Sequence, residues 1–273
     1  MRNFPYHLRA ATIPGVEKEH QRELAVCGRA AVRALSEKHP EKVRRLFFIE
    51  DRAPELGRLC SFMAKKKRPY RVAGVEDLEK LSDTIHHQGV VAMIEAPQYP
   101  RVSGETVDRW SKSGERVFVL DRVGNAHNLG AIVRSLAFFG LEHLVIGDDD
   151  GDARVTTSAY RVAQGGMELV TVWRDKSAAA FAQRAKGKIA LAGADHRATA
   201  SSRDLAAFAR KPDGSPRAVA MLLGNEEEGL SRGARGVCDT TFRIPGVDVI
   251  ESLNVAQAAS ILAYELAPRV RVR

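Results

Sequence analysis

The chain has 273 residues, of which 44% are hydrophobic and 28% are charged, and its formal net charge is +8. This length and composition fit a globular protein with a core of its own, built as one large domain or two small ones. No apolar run is long enough to cross a membrane, and the first residues lack the apolar stretch of a signal peptide, so we expect a cytoplasmic protein. The excess of basic over acidic residues indicates a polyanionic partner.

The cysteine and histidine pattern gives no support to a metal site. Cys27, Cys60 and Cys238 are scattered, odd in number and without the spacing of a CxxC pair, which is typical of reduced cytosolic cysteines. His86 and His87 precede a predicted strand and have no spaced cysteine or carboxylate partners nearby. We therefore interpret both histidines as structural and expect no metal.

The first part of the chain predicts a small α/β domain over residues 18–97, after a loose tail at 1–17. Helices alternate there with short apolar, β-rich runs, which indicates a layered α/β structure. The predicted helices cover 19–38, 54–67 and 75–82, and the predicted strands cover 43–49, 70–73 and 89–96. Residues 98–114 contain prolines, glycines, serines and mixed charge, and this composition favours a linker.

A second alternating series predicts another α/β domain over residues 115–273. Its strand-like runs are apolar throughout, as expected for a parallel sheet that is covered by helices on both faces. These runs lie at 116–120, 143–147, 169–173, 188–194, 218–224 and 240–244. A last helix is predicted from about residue 253 to residue 266.

Three segments of the second domain combine polar residues with glycines beside apolar runs. They read NLGAIVR (128–134), LLGNEEEGLS (222–231) and IPGVDVIESLNVAQA (244–258). Parallel α/β sheets bind nucleotide-like ligands at the carboxyl ends of their strands. The chain has neither a G-x-G-x-x-G fingerprint nor a P-loop, so a ligand here would not use the usual dinucleotide or triphosphate cradle.

Together, the three segments resemble the three motifs of the SpoU/TrmH family of RNA ribose 2′-O-methyltransferases, over roughly residues 115–267. Residues 26–96 resemble the small, ribosomal-protein-like RNA-binding domain that many members carry. The resemblance implies a second domain threaded into a trefoil knot, S-adenosylmethionine held by backbone groups of the knotted loops, and a homodimer. It implies methyl transfer to a ribose 2′-hydroxyl of ribosomal or transfer RNA.

The resemblance also assigns residues to roles. The implied catalytic residues are Asn128, Arg134, Glu226, Ser252 and Asn254. The implied cofactor-binding residues are Leu223, Gly224, Asn225, Gly229, Ile244 and Leu253. The basic cluster Lys65, Lys66, Lys67 and Arg68 is either a solvated face or a contact to RNA phosphates.

Several alternatives stay open. Arg134 lies in an apolar helical run, where a buried guanidinium must be paired. It is therefore either an ion-pair partner of Glu226 or of another buried carboxylate, or a group that activates or orients the ribose hydroxyl. Asn128 and Ser252 can each be plain helix caps. The motifs also depart from the usual family pattern at Gly246, Asp248 and Ala256, which leaves open whether cofactor binding is weakened.

Two rival functions are compatible with the same residues. The first is an RNA-binding member of the family that has lost turnover, which only the altered third motif supports. The second is a knotted methyltransferase that acts on a base. The complete set of Asn, Arg, Glu, Ser and Asn argues against both.

Overall fold

The computed structural model describes residues 23–148, 154–247, 249–250 and 252–268. The predicted tail at 1–17 lies outside these residues, as does Asp248. Within the described residues, the chain forms two α/β units, each with its own sheet. The predicted fold class, a small α/β domain followed by a parallel-sheet α/β domain, is confirmed.

The first unit has four strands in the order β1-β4-β2-β3, with β4 antiparallel to both of its neighbours and β3 parallel to β2. Its strands are β1 (Glu23–Cys27), β2 (Val43–Phe48), β3 (Tyr70–Val72) and β4 (Val90–Glu95). Its helices are α1 (Arg29–Lys38), α2 (Ala53–Lys65) and α3 (Val75–Ser82).

The helix predicted over 19–38 is wrong in its first part. Glu23–Cys27 forms β1, which pairs along its whole length with β4, and the helix begins only at Arg29. Gly28 separates the two elements with a φ of 94°, a backbone conformation that other residues rarely adopt. Because pairing with β4 is a tertiary interaction, local helical preference did not reveal it.

The second unit has a fully parallel sheet in the order β7-β6-β5-β10-β8-β11-β9. Its strands are β5 (Arg116–Asp121), β6 (His143–Ile146), β7 (Thr171–Arg174), β8 (Ala190–Ala194), β9 (Ala200–Ser201), β10 (Val219–Gly224) and β11 (Thr240–Arg243). Its helices are α4 (Gly104–Ser113), α5 (Ala126–Phe138), α6 (Thr157–Ala163), α7 (Ala178–Ala185), α8 (Leu205–Phe208), α9 (Arg232–Arg235) and α10 (Val255–Leu266).

Both faces of this sheet are buried, which explains why its strands are apolar throughout. Phe118 and Leu120 of β5 pack on the side of α5 and α10, while Val117 and Val119 pack on the side of α4 and α7. Successive side chains of a strand point to opposite faces, so two cores form, one on each side of the sheet. The trefoil threading implied by the resemblance stays a prediction.

The segment predicted as a linker over 98–114 contains α4, which packs on the second unit. Trp110 of α4 is fully buried, and its ring centroid lies 4.9 Å from that of His143 and 5.1 Å from that of Trp173. The Ser103 hydroxyl caps the helix by accepting a hydrogen bond from the Thr106 N–H at 3.1 Å.

Within the described residues, no helix is long and apolar enough to cross a membrane.

The two units pack directly against each other through a buried carboxylate and a close backbone contact. The Glu168 side chain is 1% exposed, and its Oε2 atom lies 3.0 Å from Lys42 Nζ and 3.8 Å from His39 Nε2. Gly165, with a φ of 95°, lies so close to α1 that an added Cβ atom would be 2.6 Å from the Ala34 Cβ atom. The interface therefore fixes the relative position of the units.

We predict that Lys42→Ala lowers the free energy of unfolding by about 2 kcal/mol. This loss is smaller than the loss on breaking a fully buried ion pair, because the Lys42 side chain is half-exposed. The substitution leaves the Glu168 carboxylate buried without its lysine. Lys38→Ala removes an exposed lysine of α1 and should change the free energy little. Urea denaturation of both variants measures the difference, and equal effects would contradict a stabilising role for Glu168 at the interface.

Candidate functional site

A cavity of about 930 Å³ opens where β8, β10 and β11 end. Three segments form its walls: the loop after β10, the loop between β11 and α10, and the turn after β8. Of the implied cofactor-binding residues, all six line this cavity: Leu223, Gly224, Asn225, Gly229, Ile244 and Leu253. The carboxyl ends of parallel strands thus place the second and third motifs around one space, as the position of the motifs predicts.

The loop after β10 is a tight turn that requires glycine. An added Cβ atom on Gly224 would lie 2.1 Å from the Gly229 carbonyl carbon and 2.2 Å from the Leu230 nitrogen. The Gly229 N–H donates to the Asn225 carbonyl at 2.9 Å, and Gly229 has a φ of 66°. The chain therefore folds back on itself directly after the strand, and only a residue without a side chain fits at Gly224.

The Asn225 side chain shapes this loop from within. Its Oδ1 atom accepts hydrogen bonds from the Glu227 N–H at 2.8 Å and the Glu228 N–H at 3.3 Å. Its Nδ2 atom donates to the Arg122 carbonyl at 3.2 Å. Backbone groups engage both the oxygen and the nitrogen of the side-chain amide. We therefore expect Asn225 to contact a ligand through its backbone and not through its side chain.

The opposite wall of the cavity is apolar and open to solvent. Val247 is 89% exposed, and Val249, Ile250 and Leu253 are also exposed. Ile244 and the buried Phe242 continue this surface toward the end of β11. Exposed apolar side chains around a concave space are typical of sites that bind a flat, partly apolar ligand.

A chain of hydrogen bonds joins the three motifs at the edge of the cavity. The Ala256 N–H donates to Asn254 Oδ1 at 2.9 Å, and Asn254 Nδ2 donates to Asn128 Oδ1 at 3.2 Å. Asn128 Nδ2 in turn donates to Glu226 Oε1. The amide of Asn128 is therefore fixed at both ends, and it holds the Glu226 carboxylate at the mouth of the cavity. We call Asn128, Asn254 and Glu226 the amide network.

The residues that cap α5 and α10 are not Asn128 and Ser252, which the sequence offered as possible caps. Asn125 caps α5, because its Oδ1 atom accepts from the His127 N–H at 2.8 Å, and Asn254 caps α10. The cap interpretations of Asn128 and Ser252 are therefore wrong. Ser252 is exposed and lines the cavity, which leaves its hydroxyl available to a ligand.

The structure does not bring Arg134 into the amide network. Arg134 is exposed on α5, no hydrogen bond or ion pair holds its side chain among the described residues, and Glu226 binds Asn128 instead. The expectations of a buried Arg134 and of an ion pair with Glu226 are therefore wrong. The reason is helical geometry: Arg134 follows Asn128 by six residues, which places it about 9 Å farther along the axis and on another face.

The basic cluster divides into two parts. Lys65, Lys66 and Lys67 are exposed at the end of α2. The Arg68 guanidinium donates instead to the carbonyl oxygens of Glu41 at 2.6 Å and Val43 at 2.5 Å, so it stabilises the first unit. A role in RNA contact stays a prediction for the three lysines and is disfavoured for Arg68.

Two aspartates at strand ends, whose side chains are 5% and 6% exposed, were not predicted from the sequence as functional residues. Asp121, the last residue of β5, accepts a hydrogen bond from the Ser231 N–H at 2.6 Å and so anchors the far end of the β10 loop. Asp195, directly after β8, lies on the cavity wall with its Oδ2 atom 2.9 Å from Arg235 Nη1. The sequence contains a pattern that points to both residues, because each aspartate directly follows an apolar run that we predicted as a strand.

The positions that depart from the family pattern have different surroundings. Gly246 lines the cavity, and no atom lies within 4 Å of the place where its Cβ would stand. Ala256 is buried in the first turn of α10. Among the described residues, no cluster of three or more His, Cys, Asp or Glu side chains is arranged to hold a metal ion.

Comparison with known proteins covers both units. The model of the SpoU rRNA methylase family matches residues 115–264, and a model described as RNA 2′-O ribose methyltransferase substrate binding matches residues 25–100. The uncharacterized tRNA/rRNA methyltransferase YfiF of Escherichia coli O157:H7 is 30% identical over 262 residues, which covers 92% of this chain and 69% of that protein.

Two further proteins are similar over most of the chain. The 23S rRNA (guanosine-2′-O-)-methyltransferase RlmB of Acinetobacter baylyi is 28% identical over 238 residues, covering 86% of this chain and 93% of RlmB. The crystal structure of the SpoU methyltransferase AviRb from Streptomyces viridochromogenes, in complex with the cofactor AdoMet, superposes with a TM-score of 0.66 at 25% identity and covers 91% of each chain.

We predict that Gly224→Ala destabilises the second unit by about 3 kcal/mol, since its Cβ overlaps backbone atoms that cannot move without opening the turn. Gly246→Ala is the matched control, because it adds the same methyl group to the same cavity in open space. Thermal denaturation should show a lower midpoint for Gly224→Ala alone. A normal midpoint for that variant would mean that the turn is looser than the structure indicates.

Proposed function

Because the chain belongs to the SpoU rRNA methylase family, we propose that it transfers the methyl group of S-adenosylmethionine to a ribose 2′-hydroxyl of ribosomal or transfer RNA in the cytoplasm. The family membership that the three motifs predicted is confirmed by the match to the SpoU family model. The match of residues 25–100 to a substrate-binding model and the name of the RlmB relative both support ribose chemistry on RNA. The AviRb complex supports the cofactor.

The cavity residues fit S-adenosylmethionine. The exposed apolar side chains of Val247 and Leu253 offer a surface for the adenine ring, and backbone groups near Gly224 offer polar contacts. The carboxylates of Glu226 and Glu227 provide negative charge at the cavity, which suits a cationic ligand, while Glu228 forms an ion pair with Arg122. When bound, S-adenosylmethionine supplies an activated methyl group on a positively charged sulfur.

The amide network carries the catalytic proposal. Methyl transfer requires a ribose hydroxyl aligned with the methyl group and an acceptor for the hydroxyl proton. Glu226 offers that acceptor: Asn128 holds its Oε1 atom, and no hydrogen bond engages its Oε2 atom among the described residues. Asn128 and Asn254 are positioning residues in this proposal, because they fix the carboxylate relative to the cavity.

Arg134 has a different role in this proposal. Its exposed guanidinium presents a planar fork of donors that suits a phosphate. Since guanidinium resists deprotonation, Arg134 orients the RNA or stabilises charge, and Glu226 accepts the proton. Ser252, exposed at the cavity, is available to contact the ribose or the cofactor.

We predict that Glu226→Gln lowers the rate of methyl transfer at saturating substrates by about 100-fold or more, because the amide cannot accept the proton. Asn128→Ala should lower the rate similarly by releasing the carboxylate. Glu227→Gln is the control, since it removes the same charge from the same loop without touching the network. Transfer of labelled methyl from S-adenosylmethionine to RNA measures the rate, and calorimetry checks that cofactor affinity is retained.

Two results would count against the proposal. Full activity of Glu226→Gln would exclude Glu226 as the proton acceptor. Labelled methyl groups recovered on bases, or no transfer by the unchanged protein to any RNA, would contradict ribose methylation itself.

We further propose that the chain works as a homodimer joined by the ends of α5 and α10. Phe138 is 82% exposed and Tyr264 is 67% exposed, and the ring of Phe139 links them with centroids 5.1 Å and 5.9 Å away. The two helices are held together by a hydrogen bond between Ser135 and Ser260 at 2.7 Å. An exposed aromatic patch on a rigid helix pair is typical of a two-fold interface.

We predict that Phe138→Glu combined with Tyr264→Glu converts a dimer into a monomer, because four carboxylates would then meet at the two-fold interface. Val72→Glu combined with Val75→Glu is the control, since these residues are also exposed and apolar but lie on the first unit. Light scattering at micromolar concentration measures the mass. A monomeric unchanged protein, or a dimer that survives both glutamates, would contradict this interface.

A further inference from the structure

A second large cleft lies between the two units, with a volume of about 1140 Å³. Helices α1 and α2 and the loop before β4 form one side, and α5 and α6 form the other. It is separate from the cavity at the ends of β10 and β11, because the two share no lining residue.

The cleft is strongly basic. Six arginines line it against two glutamates, and one of these carboxylates, Glu55, is already engaged by Arg29 and Arg52. The other four arginines make no ion pair or hydrogen bond through their side chains among the described residues; they are Arg33, Arg58, Arg134 and Arg161. Unpaired guanidinium groups on both walls of a concave surface favour a ligand with several negative charges.

The walls of the cleft are preformed. The contact of Gly165 with Ala34 and the Lys42–Glu168 pair lock α1 against the second unit beside the cleft. Burial raises the pKa of the Cys27 thiol to about 11, and the charge of Arg161 opposes this rise. Arg161 of α6 therefore acts electrostatically across the boundary between the units, and the thiol beside it stays neutral at neutral pH.

The rim of the cleft offers surface for a base. Ile85 is 71% exposed, and the neighbouring His86 is also exposed, which does not support the structural role predicted for His86 from the sequence. His87, in contrast, is buried, and its Nδ1 atom accepts from the Gly89 N–H at 3.0 Å, so it is structural as expected. An exposed imidazole next to an apolar side chain is a surface on which an unstacked RNA base can rest.

We propose that this cleft is the track of a single RNA strand, whose phosphates contact Arg33, Arg58 and Arg161 and one of whose bases rests on Ile85 and His86. The inference rests on the proposed function and extends it, because it states where the substrate lies. The track leads to the active site through α5: Arg134 lines the cleft, and Asn128 stands in the first turn of the same helix.

The test compares two triple variants that remove the same charge. One carries Arg33→Ala, Arg58→Ala and Arg161→Ala; the control carries Arg109→Ala, Arg203→Ala and Arg232→Ala, all at exposed positions outside the cleft. Fluorescence anisotropy with a labelled oligouridine, over a series of salt concentrations, gives the affinity and its salt dependence. Thermal denaturation checks that each variant is folded, and Arg33→Ala alone is a milder second variant at an exposed position.

The cleft variant should bind the oligouridine at least about 10-fold more weakly than the control, with a salt slope lower by about 2, as expected for three lost phosphate contacts on a single strand. A duplex of the same length should bind both variants equally. If the two triple variants bind oligouridine equally while the unchanged protein still methylates RNA, the cleft proposal is wrong and the proposed function stands. If the unchanged protein neither binds nor methylates any RNA, the cleft proposal and the proposed function are both wrong.

Discussion

The hydrogen bonds through Asn128 are the interaction on which the candidate site depends. They connect the first turn of α5 to the loop after β10 and to the cap of α10, which lie 98 and 126 residues away from Asn128 in the sequence. Each amide is used at both ends, so its orientation is determined by its partners. The sheet makes this possible: β10 lies beside β5 with Gly224 opposite Asp121, so the two loops start from adjacent strand ends.

The same strand ends explain why the turn residues are so specific. Gly224 permits the chain to reverse against Gly229, Asn225 fills the turn with its own side chain, and Asp121 holds its far end. The carboxylate of Glu226 is thereby presented on a rigid loop. Such preorganisation matters for methyl transfer, since positioning of the reacting groups is the main task of the protein in this reaction.

The sequence could predict much of the fold and the location of the site, for physical reasons that hold in this chain. Continuous apolar runs predicted a parallel sheet with a ligand site at the carboxyl ends of its strands. The resemblance to the SpoU/TrmH family implied that Gly224, Ile244 and Leu253 lie next to the cofactor, and all three line one cavity. Glu23–Cys27 was predicted as helix because its pairing with β4 is a long-range interaction. The linker prediction over 98–114 followed polar composition, which concealed the single buried face of α4 around Trp110.

Arg134 shows a further limit of sequence reasoning. An arginine within an apolar run suggested burial, but a helix surrounded by several elements can leave one narrow face open, and Arg134 lies on that face toward the cleft. The caps likewise depend on local backbone geometry: Asn125 and Asn254 cap their helices, and the neighbouring Asn128 and Ser252 do not. A difference of two or three residues in where a helix begins decides which polar groups remain available for chemistry.

If this chain methylates ribose in RNA, its absence must leave a ribose unmethylated, so the decisive measurement is a comparison of ribose methylation across total RNA. RNA from an organism that carries this protein would be compared with RNA from the same organism after deletion of the gene. Deletion should remove methylation at a specific ribose of ribosomal or transfer RNA, and the protein should restore it while its Glu226→Gln variant does not. Identical ribose methylation in both RNAs would contradict the claim.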